Sequence, residues 1–243
     1  MDIKIFFLSD KTQFSTFLND CLKEDTFETN LTNRIKHESL EDNIVIINLL
    51  EKRANINKEL DYVLESKCQK IILLENALDL YLNCSNKPPF SVYSELKATN
   101  VISQDLLEIE KRVKDSNKKY VIFRISEVYG PSIKNDLIHK LFHTRKQKLD
   151  NSKHDFIYEG DVMQALEISL KQTVCGLFDI ASGKTESLKD LSEIVFKKYD
   201  IKNKIEWKIK KQKISFNCEN FKFFGWQPIV DIEIGLKTVK DSL

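Results

Sequence analysis

The chain has 243 residues, of which 42% are hydrophobic and 31% charged, enough apolar content to bury a substantial core in one large domain or two small ones. Thirty-eight basic against thirty-seven acidic residues leave a net charge of +1, which gives no overall attraction for nucleic acid and no argument for a membrane partner. All six glycines lie at or beyond position 130, so the first 129 residues hold neither a P-loop nor an intact G-x-G-x-x-G turn.

Met1 to Leu8 is apolar but lacks a basic lead and a small-residue cleavage site, so no secretory signal is expected there. The five cysteines are scattered and form no C-x-x-C pair, which fits reduced, packing thiols in a cytoplasmic protein. Apolar runs such as Ile44 to Ile47 are far too short to cross a bilayer.

Along the chain, Ile3 to Leu8 has the composition of a strand buried on both faces. Phe14, Phe17, Leu18, Cys21 and Leu22 then recur at helical spacing, which completes an opening β-α unit. Residues 25 to 40 are polar and poorly patterned, and no strand is expected between Asn19 and Asn43. Asn43 to Leu50, Lys70 to Leu74 and Tyr120 to Ile125 are further buried strands, separated by helical stripes at 60 to 64 and 102 to 113. A loop surrounds Pro88 and Pro89.

The second half carries helix patterns at 133 to 143, 161 to 171 and 187 to 198, and strand patterns at 155 to 158 and 174 to 180. Eight lysines crowd Lys197 to Lys213, where Ile205, Trp207 and Ile209 alternate with polar residues as in a half-exposed edge strand. The fold class expected is α/β: a Rossmann-like parallel sheet with helices on both faces, plus a small C-terminal α+β lobe. Residues 1 to 130, joined by the strand near 174 to 180, form the nucleotide-binding-type part, and 131 to 243 the smaller region. His139 and His143, at i and i+4 with Asp136 one turn earlier, have metal-like spacing. Lys140, Arg145 and Lys146 crowd them with positive charge, so no metal site is expected and the histidines are placed on a solvated helix face.

Four segments in order resemble the extended short-chain dehydrogenase/reductase superfamily, the NAD-dependent epimerase/dehydratase group acting on nucleotide sugars. Phe123 to Pro131 (FRISEVYGP) is similar to that family's strand ending in Arg and its Asn-x-Tyr-Gly-Pro loop. His154 to Ala165 (HDFIYEGDVMQA) is similar to its Arg-Asp-Phe-x-x-Val-x-Asp-Val segment. Gly176 to Leu188 (GLFDIASGKTESL) resembles its Tyr-Asn-x-Gly-Ser-Gly strand and turn, and Phe224 to Leu236 (FGWQPIVDIEIGL) its closing Leu-Gly-Trp-x-Pro motif. The resemblance implies a Rossmann fold, an NAD or NADP cofactor, a nucleotide-sugar ligand and a homodimer paired through helices near 52 to 66 and 101 to 115.

In that register Ser9, Thr12 and Ser15 hold the three glycine positions, and the implied cofactor loop comprises Ser9, Thr12, Gln13 and Phe14. Cβ atoms at Ser9 and Thr12 stand where a pyrophosphate oxygen would approach, so dinucleotide affinity is expected to fall. Glu28 is the nearest acidic residue for the ribose hydroxyls. The implied substrate loop comprises Glu127, Tyr129 and Gly130. Glu127 and Asp179 replace asparagines, and a carboxylate at either position is expected to repel a diphosphate. Asp161 is retained and is expected to cap a helix starting at Val162.

The family's Tyr-x-x-x-Lys pair is matched by Tyr93 and Lys97 alone, a spacing that seven tyrosines in a lysine-rich chain produce by composition. Counting back from Arg124 instead reaches Ala98 and Ile102. Three readings follow: a cofactor-poor pseudoenzyme or partner subunit in nucleotide-sugar or surface-polysaccharide metabolism, an active NAD(P)-dependent epimerase, dehydratase or reductase using Tyr93, or a homodimeric structural module.

Overall fold

The structure, a computed structural model, describes residues 3–25, 27–32, 40–50, 56–82, 87–134, 136–143, 147–201, 205–210 and 212–243. The first half runs β1 (Lys4–Leu8), α1 (Gln13–Glu24), β2 (Glu28–Thr32), β3 (Ile44–Asn48), α2 (Asn57–Glu65), β4 (Lys70–Asn76), α3 (Ala77–Tyr81), α4 (Val101–Asp115) and β5 (Lys119–Ile125). There follow β6 (Glu127–Tyr129), α5 (Leu137–Phe142), β7 (Gln147–Asp150), β8 (Lys153–His154), β9 (Phe156–Tyr158), α6 (Glu159–Lys171) and β10 (Gly176–Ile180). The chain closes with β11 (Glu186–Ser187), α7 (Leu188–Tyr199), β12 (Ile205–Lys208), α8 (Glu219–Lys222) and α9 (Ile232–Asp241).

Six strands form one parallel sheet in the order β10-β5-β4-β3-β1-β2. The runs IFFL, IVII and IILL are buried on both faces, as a sheet covered on each side by helices requires. α1 packs beside α6, while α2 and α4 lie together, joined by the Arg112–Asp61 ion pair. The strand order reverses between β1 and β3, so the carboxyl ends of these strands open the crevice where α/β sheets bind ligands. No helix among the described residues is long and apolar enough to cross a membrane.

Strand β2 corrects the expectation that residues 19 to 43 hold none. Its sequence, ETNLT, alternates exposed and half-buried positions, because an edge strand carries no continuous apolar run. The β-α unit is nonetheless short, since only residues 33 to 43 separate β2 from β3. In the classic doubly wound order a further strand lies outside the second one; here, among the described residues, β2 is the edge.

The large core draws on the sheet, α6 and the segment from Ile214 to Trp226. A second core, from Tyr129 to Val239, joins α5, α7 and α9 around Phe156 and Leu188. β12 pairs with β7, half-exposed as its alternation predicts. Cys175, expected to pack, is exposed, whereas Cys68 and Cys218 are buried, and Cys84 lies outside the described residues.

Candidate functional site

At the carboxyl end of β1 the chain turns through Ser9 and Asp10 into α1. Thr12 is the N-cap: its hydroxyl accepts from the Ser15 N–H at 3.0 Å, while the Ser15 hydroxyl accepts from the Thr12 N–H at 2.9 Å. The Ser15 hydroxyl donates onward to the Asp10 carbonyl at 2.7 Å, and Asn48 reaches the Ser9 hydroxyl at 3.3 Å. This reciprocal capping box satisfies donors from inside the chain. The hydroxyls that replace glycine therefore hold the turn itself, and two N–H groups that a bound anion would use already have partners. Gln13 is exposed; Phe14 is fully buried.

Glu28 begins β2 and pairs with Lys4 at 2.6 Å. That position lies about 13 Å, four strand residues, from the carboxyl edge, so Glu28 is not beside the cofactor turn. Tyr93 is 88% exposed in a turn, Lys97 is exposed outside any helix or strand, and α4 begins only at Val101. The two do not share a helical face, and α4 contains no tyrosine.

A cavity of about 320 Å³ opens at the carboxyl edge beside α1, walled by Phe14, Asn76, Ser126, Glu127, Asp136 and Phe156 among others. Glu127 pairs with Nδ1 of His154, whose ring stacks on Phe156 with centroids 5.7 Å apart. Two departures from the family motif thus meet: the position of its Asn carries Glu127, the position of its Arg carries His154, and each satisfies the other. Sequence reasoning missed this contact; the paired replacements were its only signal, across 27 residues.

On another wall Asp136 caps α5 through the His139 N–H at 2.6 Å and faces His139 Nδ1 at 3.2 Å. His139 is buried rather than on a solvated face, while His143 is exposed, so the two do not converge. Among the described residues no group of three or more acidic, histidine or cysteine side chains is arranged to hold a metal.

The other predicted substrate residues serve elsewhere. Tyr129 is buried and lines a separate cavity of about 190 Å³ with Ser182, Lys184 and Pro228. Gly130 admits Glu159, whose carboxyl carbon would lie 2.3 Å from a Cβ there and whose carboxylate accepts from the N–H and hydroxyl of Ser132. Asp161 is not a cap: α6 begins at Glu159, and the Asp161 carboxylate accepts from the N–H groups of Ile229 and Val230, while its carbonyl takes the Trp226 indole N–H. That latch ties the segment around Asp161 to the Gly225–Trp226–Gln227–Pro228 turn.

Asp179 lies behind the cavity, not in it. It accepts from the Tyr81 hydroxyl at 3.0 Å, and that hydroxyl accepts from Arg124 at 2.8 Å. Burial pushes its carboxyl up to about 7, against the pull of nearby Arg124. Its expected repulsion of a substrate diphosphate is therefore corrected. Arg124 also grips Glu110 with two bonds of 2.6 and 2.8 Å. Burial alone would raise Glu110, but the Arg124 bonds overcome it and hold this carboxylate down to about 2. Glu75 is fully buried with no hydrogen-bond partner at either carboxyl oxygen, and burial, with Glu110 beside it, holds its carboxyl well above the usual range.

No protein-family model matches the chain. Solved structures share its fold. WbmG of Bordetella bronchiseptica, in complex with NAD and UDP, superimposes with a TM-score of 0.82 at 12% identity, over 100% of this chain and 95% of that one. MoeE5, with UDP-glucuronic acid and NAD, gives 0.83 at 11% identity over 98% of both chains. The UDP-glucose 4-epimerase of Thermotoga maritima, with UDP-glucose, gives 0.77 at 16% identity, again over 98% of both. The chain has the fold of the extended short-chain dehydrogenases/reductases that act on nucleotide sugars, reached at low identity.

Proposed function

We propose that this protein is a nucleotide-sugar-associated scaffold of that fold in which NAD(P) binding and tyrosine-based redox catalysis are lost, and that it serves as a cytoplasmic partner subunit. The observation that carries the reading is the Thr12–Ser15 capping box, which engages the start of α1 from within. The exposed Tyr93 and the tyrosine-free α4 support it. The ligand class comes from the shared fold, whose solved members bind UDP or UDP-sugars. Where a cofactor would bind, Ser9, Thr12, Gln13 and Phe14 form the turn, but the bonds made there fit a closed loop better than a pyrophosphate cradle.

Calorimetric titration with NAD(H) and NADP(H) tests the reading: no saturable heat is expected, and micromolar affinity overturns it. The same reading pairs two copies along α2 and α4, which already lie side by side; of the predicted dimer segment, residues 52 to 55 fall outside the described residues. Sedimentation at micromolar concentration should show a dimer, and a monomer contradicts the pairing.

A further inference from the structure

The 320 Å³ cavity holds polar groups that neither the fold nor the lost redox step uses. Ser126, directly after β5, is 2% exposed, lines the cavity, and its hydroxyl has no hydrogen-bond partner. An unpaired buried hydroxyl is costly unless something completes it. Beside it, at the end of the adjacent strand, Asn76 uses its side-chain carbonyl to cap α3 through the Leu78 N–H at 2.9 Å, so its amide N–H₂ is the group that remains to donate. Two residues with a donor to offer therefore line the same cavity.

The same cavity presents two carboxylates. Asp136 spends both oxygens on His139, so it is a structural group. Glu127 gives one oxygen to His154, whose ring is fixed by Phe156 and whose Nε2 has no hydrogen-bond partner, with Asp150 4.0 Å away. Lys134 and Lys140 add positive charge to the wall.

A held carboxylate lining one cavity with a pair of hydrogen-bond donors is the equipment for removing a proton from a carbon next to a carbonyl. We propose that this cavity performs cofactor-free proton transfer on a keto sugar, with Glu127 as the base, Ser126 and Asn76 holding the ketone oxygen, and His154 as the residue that positions Glu127. Glu127 takes the proton from the carbon beside the ketone. The electron pair of that C–H bond moves into the carbon–carbon bond, and the negative charge collects on the oxygen held by Ser126 and Asn76. Return of a proton to the same carbon restores the ketone, so nothing is oxidised or reduced. The inference rests on the reading that the chain lacks a redox cofactor: its substrate must arrive as a ketone, supplied by a reaction that oxidises or dehydrates a nucleotide sugar. The cavity is at the small end for ligand sites and suits one sugar ring.

The test uses the whole protein freed of nucleotide, with no NAD(P) added, and a UDP-linked 4-keto-6-deoxyhexose in ²H₂O, read by the loss of its C3 and C5 proton signals in NMR. Exchange about tenfold or more above buffer is expected, lost to the buffer rate in Glu127→Gln and lowered several-fold in Ser126→Ala, with UDP-glucose, which has no ketone, left unexchanged. His154→Gln should lower kcat with KM unchanged, as a positioning role requires. Exchange no faster than buffer, or undiminished in a folded Glu127→Gln, overturns the proposal. Tight NAD binding together with cofactor-free exchange would remove the proposed function and leave this inference standing; silence in exchange with no NAD binding would remove this inference alone.

Discussion

Replacing Asp179 by asparagine, the residue the family motif carries there, removes a titration and leaves the acceptor for Tyr81 in place. In the folded chain this carboxyl is fully buried and accepts from the Tyr81 hydroxyl, so loss of solvent favours its neutral form. Its proton is held to about 7, against 3.8 for an ordinary aspartate. The folded state therefore keeps a proton that the unfolded chain releases from about pH 4 upward, and stability falls as pH rises through this window, levelling off above about 7. Applied between pH 5 and 8, the two values give a loss of about 2.5 kcal/mol from this group alone. For a chain of this length that is roughly 5 to 10 °C in Tm. Urea unfolding of both proteins at pH 5, 6, 7 and 8, followed by circular dichroism, measures it. The stability of Asp179→Asn relative to the parent should climb by that amount from pH 5 to 8. Parallel curves across the range would refute the assignment of the proton to Asp179.

Thr12→Ala breaks the capping box and should lower unfolding free energy by about 1 kcal/mol in the same assay, with no change in NAD(H) binding by calorimetry. Arg124→Met leaves Glu110, 2% exposed, with Lys114 alone of its two cationic partners and should destabilise by about 3 kcal/mol, with Glu110→Gln in the same chain recovering part of the loss on urea unfolding. Gly235→Ala would set a methyl group 2.2 Å from the Tyr129 hydroxyl oxygen, so a loss of about 1 to 3 kcal/mol is expected in thermal unfolding, and an unchanged Tm would contradict that packing.

The strands that carry the sheet were legible because a parallel sheet covered on both faces forces continuous apolar runs, as at Ile44–Asn48 and Lys119–Ile125. β2 was not, since an edge strand of Glu, Thr, Asn, Leu and Thr has the composition of a loop, and only its ladder with β1 distinguishes it. The glycine replacements were legible as a weakened phosphate site, but the reciprocal bonds of Thr12 and Ser15 depend on side-chain directions that spacing does not reveal. Carboxylates misled the reading in one consistent way. Glu28, Asp161 and Asp179 were assigned by position along a motif, whereas their roles depend on which end of a strand they occupy or which loop packs on them. The contact between Glu127 and His154 joins two motifs read separately, and no local pattern announces such a pair.

The central claim is that the start of α1 is closed by its own side chains and does not take a dinucleotide. Amide NMR of the ¹⁵N-labelled protein during titration with NADH reports this residue by residue. The account predicts that the Thr12, Gln13, Phe14 and Ser15 signals stay in place up to millimolar ligand. Saturable shifts of those four amides at micromolar NADH would contradict it.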